Sequence, residues 1–194
     1  MKPIEENSGW LLLILQVLFW MPMVVRVALR KTPEVRIQDE FVPRWRERGL
    51  LLYQIAIPLT WIGFGFAFWK GGFRSAPFEV VVGVIFYLAA TALFGWSVHV
   101  HRSWNIQARL EPDHQLCTAG PYGIVRNPIY LAFSLMAIGS AVWVPRPLVI
   151  LGAILLIVGS EVRARAEEKV LRDRFGTLYL EYMRRVHRII PGIY

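Results

Sequence analysis

Residues 80–101 read VVVGVIFYLAATALFGWSVHVH, twenty-two positions without a Lys, Arg, Asp or Glu. A helix rises 1.5 Å per residue, so crossing a hydrocarbon core about 30 Å thick takes roughly 20 apolar positions. Three further charge-free runs accompany this one, at 7–25, 49–69 and 127–145, of 19, 21 and 19 residues. Across all 194 residues, 55% are hydrophobic and 19% charged, with a mean hydropathy of +0.42. A soluble domain is nearer half apolar and about a quarter charged. The runs exclude an ordinary globular domain and predict an all-α integral membrane protein with several spans.

A fifth apolar stretch, 147–160, has only 14 residues between Arg146 and Glu161, a length that also fits a buried helix. Charge decides how it is read. With five transmembrane helices, four of the 22 basic residues (Lys2, Lys70, Arg74, Arg146) fall on one side and the other 18 on the opposite side. Cytoplasmic loops carry such an excess of Lys and Arg, so the N-terminus is placed outside and the C-terminus in the cytoplasm. Spans four and five are joined only by Trp143-Val144-Pro145-Arg146-Pro147, which predicts a tight helical hairpin. No proline follows Pro147 until Pro191, so helix five is expected to leave the bilayer near Glu161 as a long cytoplasmic extension. A break is expected at Phe175-Gly176, where glycine costs about 1 kcal/mol in a helix. Lys2 is offset by Glu5 and Glu6, and the first run is long enough to remain as a span, so it is not read as a cleaved signal.

Several function classes drop out. A single cysteine, Cys117, excludes a disulfide framework and a Cys-based zinc site within one chain. There is neither a P-loop nor a G-x-G-x-x-G following a strand. The net charge of +8 lies between apolar spans, where basic residues set topology and meet anionic lipid, so no nucleic-acid partner is implied. His99 and His101 diverge by about 200° on a helix and cannot easily share a metal. No metal site and no Ser–His–Asp or H-E-x-x-H arrangement is expected.

Two cytoplasmic segments are richer than plain connectors. Residues 107–130 read QARLEPDHQLCTAGPYGIVRNPIY, a succession of turns set by Pro112, Gly120, Pro121, Gly123 and Pro128. Turns expose backbone groups that can hold the polar edges of a ligand; the plainer reading is a connector whose Asn127-Pro128 starts the next helix. In the second segment, EVRARAEEKVLRDRFGTLYLEYMRRVHR, Arg163/Glu167, Glu161/Arg165 and Glu168/Arg172 are each four apart. On their own these describe a solvated helix with three surface ion pairs, each contributing a few tenths of a kcal/mol at most. Their position at the membrane boundary also suits a substrate path.

Together the two segments resemble the isoprenylcysteine carboxyl methyltransferase family, within a wider set of integral-membrane methyltransferases that includes phospholipid N-methyltransferases. The resemblance covers about 107–194. It rests on His114-Gln115-Leu116-Cys117, Gly120-Pro121-Tyr122 and Val125-Arg126-Asn127-Pro128-Ile129-Tyr130, and after the hairpin on Arg163, Glu167-Glu168, Leu171, Phe175-Gly176, Tyr179, Tyr182, Val186, Arg188 and Pro191. The family pattern has His where this chain has Asn127. Asparagine can still donate and accept hydrogen bonds, but it cannot carry a positive charge or shuttle protons near neutral pH.

The resemblance implies S-adenosylmethionine as methyl donor, leaving S-adenosylhomocysteine as product. It places Gln107, His114, Gln115, Leu116, Cys117, Tyr122, Asn127, Pro128, Ile129, Tyr130 and Glu167 around that cofactor, and gives Arg163 and Glu167 catalytic roles, Arg163 facing the methyl acceptor. It implies a lipophilic or lipidated acceptor met at the bilayer, most simply the carboxylate of an isoprenylcysteine. Residues 1–101 then form a three-span region shaping acceptor entry, and 102–194 the cofactor-binding and catalytic unit. The tail from Arg188 to Tyr194 also resembles that of NADPH-dependent membrane sterol reductases, which makes reduction the rival activity.

Overall fold

The computed structural model describes residues 8–28, 44–69, 75–101 and 116–194; Gln107, His114 and Gln115 lie outside the described residues. The apolar runs become α1 (Ser8–Ala28), α2 (Arg44–Trp69), α3 (Pro77–Val100), α4 (Pro128–Trp143) and α5 (Pro147–Phe175), followed by the short α6 (Thr177–Arg185). One 3-10 turn, Gly120–Gly123, precedes α4. Proline opens α3, α4 and α5, at a position where its missing N–H is not needed and its fixed φ already suits the helix. At the start of α3 the Glu79 carboxylate also accepts the Ala76 N–H at 2.7 Å, satisfying a donor that the first turn leaves unmatched.

Among the described residues, four helices, α1, α2, α3 and α5, are long and apolar enough to cross a membrane. The 16-residue α4 is the short one, about 24 Å long at 1.5 Å per residue. It is shorter than the charge-free run 127–145 that contains it, and α5 is longer than the apolar stretch 147–160. Pro128 and Pro145 bracket α4, whereas α5 continues through its charged half for 29 residues. It stops where expected: Gly176 takes a φ of +52°, a conformation that side chains on Cβ disfavour, and its N–H closes the last turn onto the Arg172 carbonyl at 2.8 Å.

Helix α2 packs along α5, α3 along α4, α4 against α5, and α1 against α3. Phe19, Phe94 and Phe133 interlock at the centre, with ring centroids 5.2 to 5.7 Å apart. Tyr87 and Ser140 join α3 to α4 through hydroxyls 2.6 Å apart. Ser140 spends its own proton on the Met136 carbonyl, so Tyr87 is the donor. On the outside, Trp10, Val17, Phe66, Ile85 and Ile154 are exposed, an apolar girdle of the kind that lipid covers.

Candidate functional site

Among the described residues, a set of charged and polar side chains converges where the charged half of α5 passes the entry to α4. The 3-10 turn rests on the end of α3, with Gly120 (φ +58°) against Trp96 and Val100, and the Tyr122 ring 5.4 Å from that of His101. Beyond the turn, Val125 and His187 form an isolated parallel bridge. The Arg126 N–H donates to the His187 carbonyl at 2.8 Å and the Asn127 N–H to the Arg188 carbonyl at 3.0 Å. Tyr182 adds a third tie, its hydroxyl donating to the Tyr122 carbonyl at 2.5 Å. Burial raises the Tyr182 phenol above its usual range, with the nearby Arg126 cation pulling the other way, so the hydroxyl remains a donor.

Glu168 is the hub of this junction. It is 2% exposed, and its two oxygens receive three side-chain donors. Arg126 Nε lies 2.9 Å and Asn127 Nδ2 3.0 Å from Oε1, while Arg188 Nε lies 2.9 Å from Oε2. Arg126 also reaches the carbonyls of Met183 (3.1 Å) and Val186. A carboxylate taken out of water is tolerable only when so matched. The reading of Glu168 as the surface partner of Arg172 is therefore corrected: Glu168 turns inward, and its partners come from the segments before α4 and after α6.

A second cluster forms one turn nearer the apolar half of α5. The Tyr130 hydroxyl donates to Glu167 Oε1 at 2.5 Å and accepts from Arg163 Nε at 3.1 Å. Arg163 Nη2 stands 3.7 Å from the same carboxylate oxygen. The Arg163 side chain is 12% exposed and that of Glu167 28%, so this four-residue pair is not on a freely solvated face. Glu161 centres a third, wetter group. It pairs with Arg165 Nε at 2.5 Å and Arg188 Nη1 at 3.1 Å, and accepts the Tyr194 hydroxyl at 2.7 Å.

Of the residues singled out from sequence, Tyr130, Arg163 and Glu167 thus meet directly. Asn127 is beside them but commits its amide to Glu168. Tyr122 is buried at the turn, and Ile129 lies in the apolar core, where Pro128 begins α4. Leu116 and Cys117 are half-buried at the start of the turn, and burial pushes the Cys117 thiol up, opposed by a hydrogen bond with the Ala119 backbone. Arg126, Glu168 and Arg188 were not singled out as site residues. The adjacent Glu167-Glu168 was the available signal, because neighbours on a helix diverge by 100° and two adjacent acids serve two different faces. No group of metal-ligating side chains occurs among the described residues.

The arrangement offers a guanidinium, a carboxylate and a shared phenol at the edge of an apolar bundle, which suits holding charged groups of a partly lipophilic ligand rather than moving protons. Comparison with known proteins points the same way. A family model described as phospholipid methyltransferase matches residues 78–178. A probable protein-S-isoprenylcysteine O-methyltransferase of Oryza sativa subsp. indica is 33% identical over 116 residues, covering 59% of this chain and 58% of the relative. Protein-S-isoprenylcysteine O-methyltransferase B of Arabidopsis thaliana is 34% identical over 89 residues, 45% of each chain. The protein-S-isoprenylcysteine O-methyltransferase of Saccharomyces cerevisiae is 35% identical over 89 residues, 45% of this chain and 37% of the relative. The matches thus span between about a third and three fifths of the length of these relatives.

Proposed function

The chain belongs to the phospholipid methyltransferase family, and on that footing we propose that it is a multi-pass membrane enzyme that transfers a methyl group from S-adenosylmethionine to the carboxylate of an isoprenylcysteine. The observation that carries this reading is the Tyr130–Glu167–Arg163 cluster, a paired anion and cation at the end of an apolar bundle. The relatives' names supply the acceptor class.

The residues present suit such a donor. Its ammonium and ribose diol need acceptors, and Glu167 supplies a partly exposed carboxylate; its sulfonium and adenine favour aromatic faces, which Tyr122 in the 3-10 turn and Tyr130 at the start of α4 can supply. Leu116, Cys117, Asn127, Pro128 and Ile129, like Gln107, His114 and Gln115, are assigned to the rest of the donor site from sequence. When bound, the donor would supply an electrophilic methyl to an acceptor oxygen, the carbon–sulfur bonding pair returning to sulfur with no proton moved. Arg163 contributes orientation, its planar fork holding an acceptor carboxylate with one oxygen turned toward the methyl. Because a carboxylate is already ionised at neutral pH, no general base is required, and the protein's contribution is alignment and exclusion of water. The Asn127 amide fixes Glu168 and with it the entry of α4, a role that needs no titrating group.

In this reading the chain makes five crossings, N-terminus outside and C-terminus cytoplasmic, with α4 and α5 as a hairpin and the second half of α5 extending past the interface. Residues 1–101 shape acceptor entry and 102–194 hold the donor. Calorimetry in detergent tests the proposal: S-adenosylhomocysteine should bind at micromolar to sub-millimolar affinity, roughly 5–8 kcal/mol. Tight binding of NADPH with no response to S-adenosylhomocysteine would transfer the case to a reductase.

A further inference from the structure

Tyr53 lies on α2, outside the matched residues 78–178, yet it touches the cluster at Arg163. The Arg163 guanidinium carbon sits 5.7 Å from the centre of the Tyr53 ring. The Tyr53 hydroxyl is 2.7 Å from Ser160 Oγ, and Ser160 directs its own proton to the Leu156 carbonyl at 2.9 Å, so Tyr53 donates. The ring also meets Phe133 of α4 edge-on, with centroids 5.8 Å apart. The ring is therefore tied to two helices, to α5 through Ser160 and to α4 through Phe133. One turn earlier on α2, Gly49 lies so close to α5 that a Cβ there would come within 2.6 Å of Arg163 Cγ. Gly159 does the same for the tyrosine, since a Cβ on it would come 2.9 Å from the Tyr53 ring.

We propose that Tyr53, with Gly49, is the positioning element for Arg163: α2 closes over the arginine and fixes the plane of its guanidinium, so that the acceptor carboxylate is met in one orientation. The inference rests on the reading of Arg163 as the acceptor-facing residue. An arginine side chain has several freely rotating bonds, and two contacts at one edge, Nε to Tyr130 and Nη2 near Glu167, leave the tilt of the plane open. A ring face against the guanidinium removes that freedom, and the attraction between them adds to it. Tyr53 acts through Arg163, without itself touching the acceptor.

A double-mutant cycle separates this from a structural role. The full chain in detergent is assayed with S-farnesylcysteine as acceptor probe, and S-adenosylhomocysteine affinity is measured alongside. Tyr53→Leu should lower kcat/KM for the probe by about 10-fold, the range a partly dehydrated cation–π contact spans. Affinity for S-adenosylhomocysteine should stay within about two-fold, since the assigned donor contacts are untouched. Tyr53→Phe, which keeps the ring, should recover most of the loss, and Gly49→Ala should reproduce it. In an Arg163→Ala background, Tyr53→Leu should cost nothing more. Additive losses in the double variant, or an equal fall in S-adenosylhomocysteine binding, would overturn the inference while leaving the methyltransferase reading intact. If Arg163→Ala by itself leaves turnover unchanged, the assignment of Arg163 fails, and the role of Tyr53 with it.

Discussion

Asn127 donates its side-chain amide to a carboxylate 41 residues away, Glu168 Oε1, at 3.0 Å. That contact ties the residue preceding α4 to the charged half of α5, and the Arg188 carbonyl accepts the Asn127 N–H. The entry to α4, and hence the position of Tyr130 one turn later, depends on Glu168 keeping its charge and its place.

Removal of that carboxylate should be costly. Glu168→Ala leaves Arg126 and Arg188 facing a hole, and breaking a buried pair in this way costs about 3–5 kcal/mol. Glu168→Gln keeps one oxygen acceptor and should cost about 1–3 kcal/mol. Arg172→Ala, on the exposed side of the same helix, should stay within about 0.5 kcal/mol. Thermal unfolding in detergent ranks the three, and a Glu168→Gln protein as stable as the parent would mean that the clamp contributes nothing.

Cys117 reports on the turn without any assay of turnover, because it is the one thiol in the chain. Burial raises its pKa above the ordinary 9.0, with the Ala119 backbone hydrogen bond opposing, so the thiolate fraction at pH 7–8 is smaller than for a free thiol. Alkylation by iodoacetamide should accordingly be slow near neutrality and accelerate only as the pH passes above that ordinary value. If Cys117 lines the donor site, saturating S-adenosylhomocysteine should slow it further. An unprotected, fast-reacting thiol would remove Cys117 from the wall.

These tests follow a line between what the chain states locally and what it does not. The helices are legible in the charge-free runs, and their ends in Pro77, Pro128, Pro145, Pro147 and Gly176, because span length and proline geometry are properties of short segments. The pairing of Arg163 with Glu167 is legible for the same reason, being one helical turn. The inward face of Glu168 is not, since its partners Arg126 and Arg188 stand 42 and 20 residues away and only packing brings them together. Nor is Tyr53, whose contact with Arg163 arises from the close approach of α2 to α5. The extra length of α5 beyond its apolar stretch has a plainer origin: an apolar run ends at its first charge, but a helix does not.

Topology can be read from exposed positions at opposite ends of the bundle. Leu180 lies on α6 and Phe78 at the start of α3, and both are exposed. In a Cys117→Ser background, Leu180→Cys should be protected from an impermeant maleimide in intact cells, and Phe78→Cys should label. The lopsided distribution of basic residues sets this expectation. The opposite pattern would invert the protein, and labelling at both positions would refute an odd number of crossings between them.

The arginines of α5 provide the sharpest division between a solvated helix and a site. Arg165 is 61% exposed in its side chain and pairs with Glu161, whereas Arg163 is 12% exposed and held by Tyr130, Glu167 and the Tyr53 ring. Were both merely surface ion pairs, each substitution to Ala would matter little, since exposed pairs contribute about 0–1 kcal/mol. If Arg163 orients an acceptor carboxylate, its loss falls on turnover, and Arg163→Ala should reduce activity toward S-farnesylcysteine by at least ~100-fold, about 2.7 kcal/mol of transition-state stabilisation. Arg163→Lys should recover little of this, because an ammonium is a point charge and cannot reproduce the two parallel bonds of a planar fork. Binding of S-adenosylhomocysteine should be nearly unchanged in both, since that role is assigned to Glu167 and the turn, while Glu167→Gln should weaken it by about 1–3 kcal/mol. Arg165→Ala and Arg172→Ala should remain within a few-fold of the parent. Equal, mild effects at all three arginines would show that this face of α5 only meets solvent, and the acceptor would then have to be oriented elsewhere.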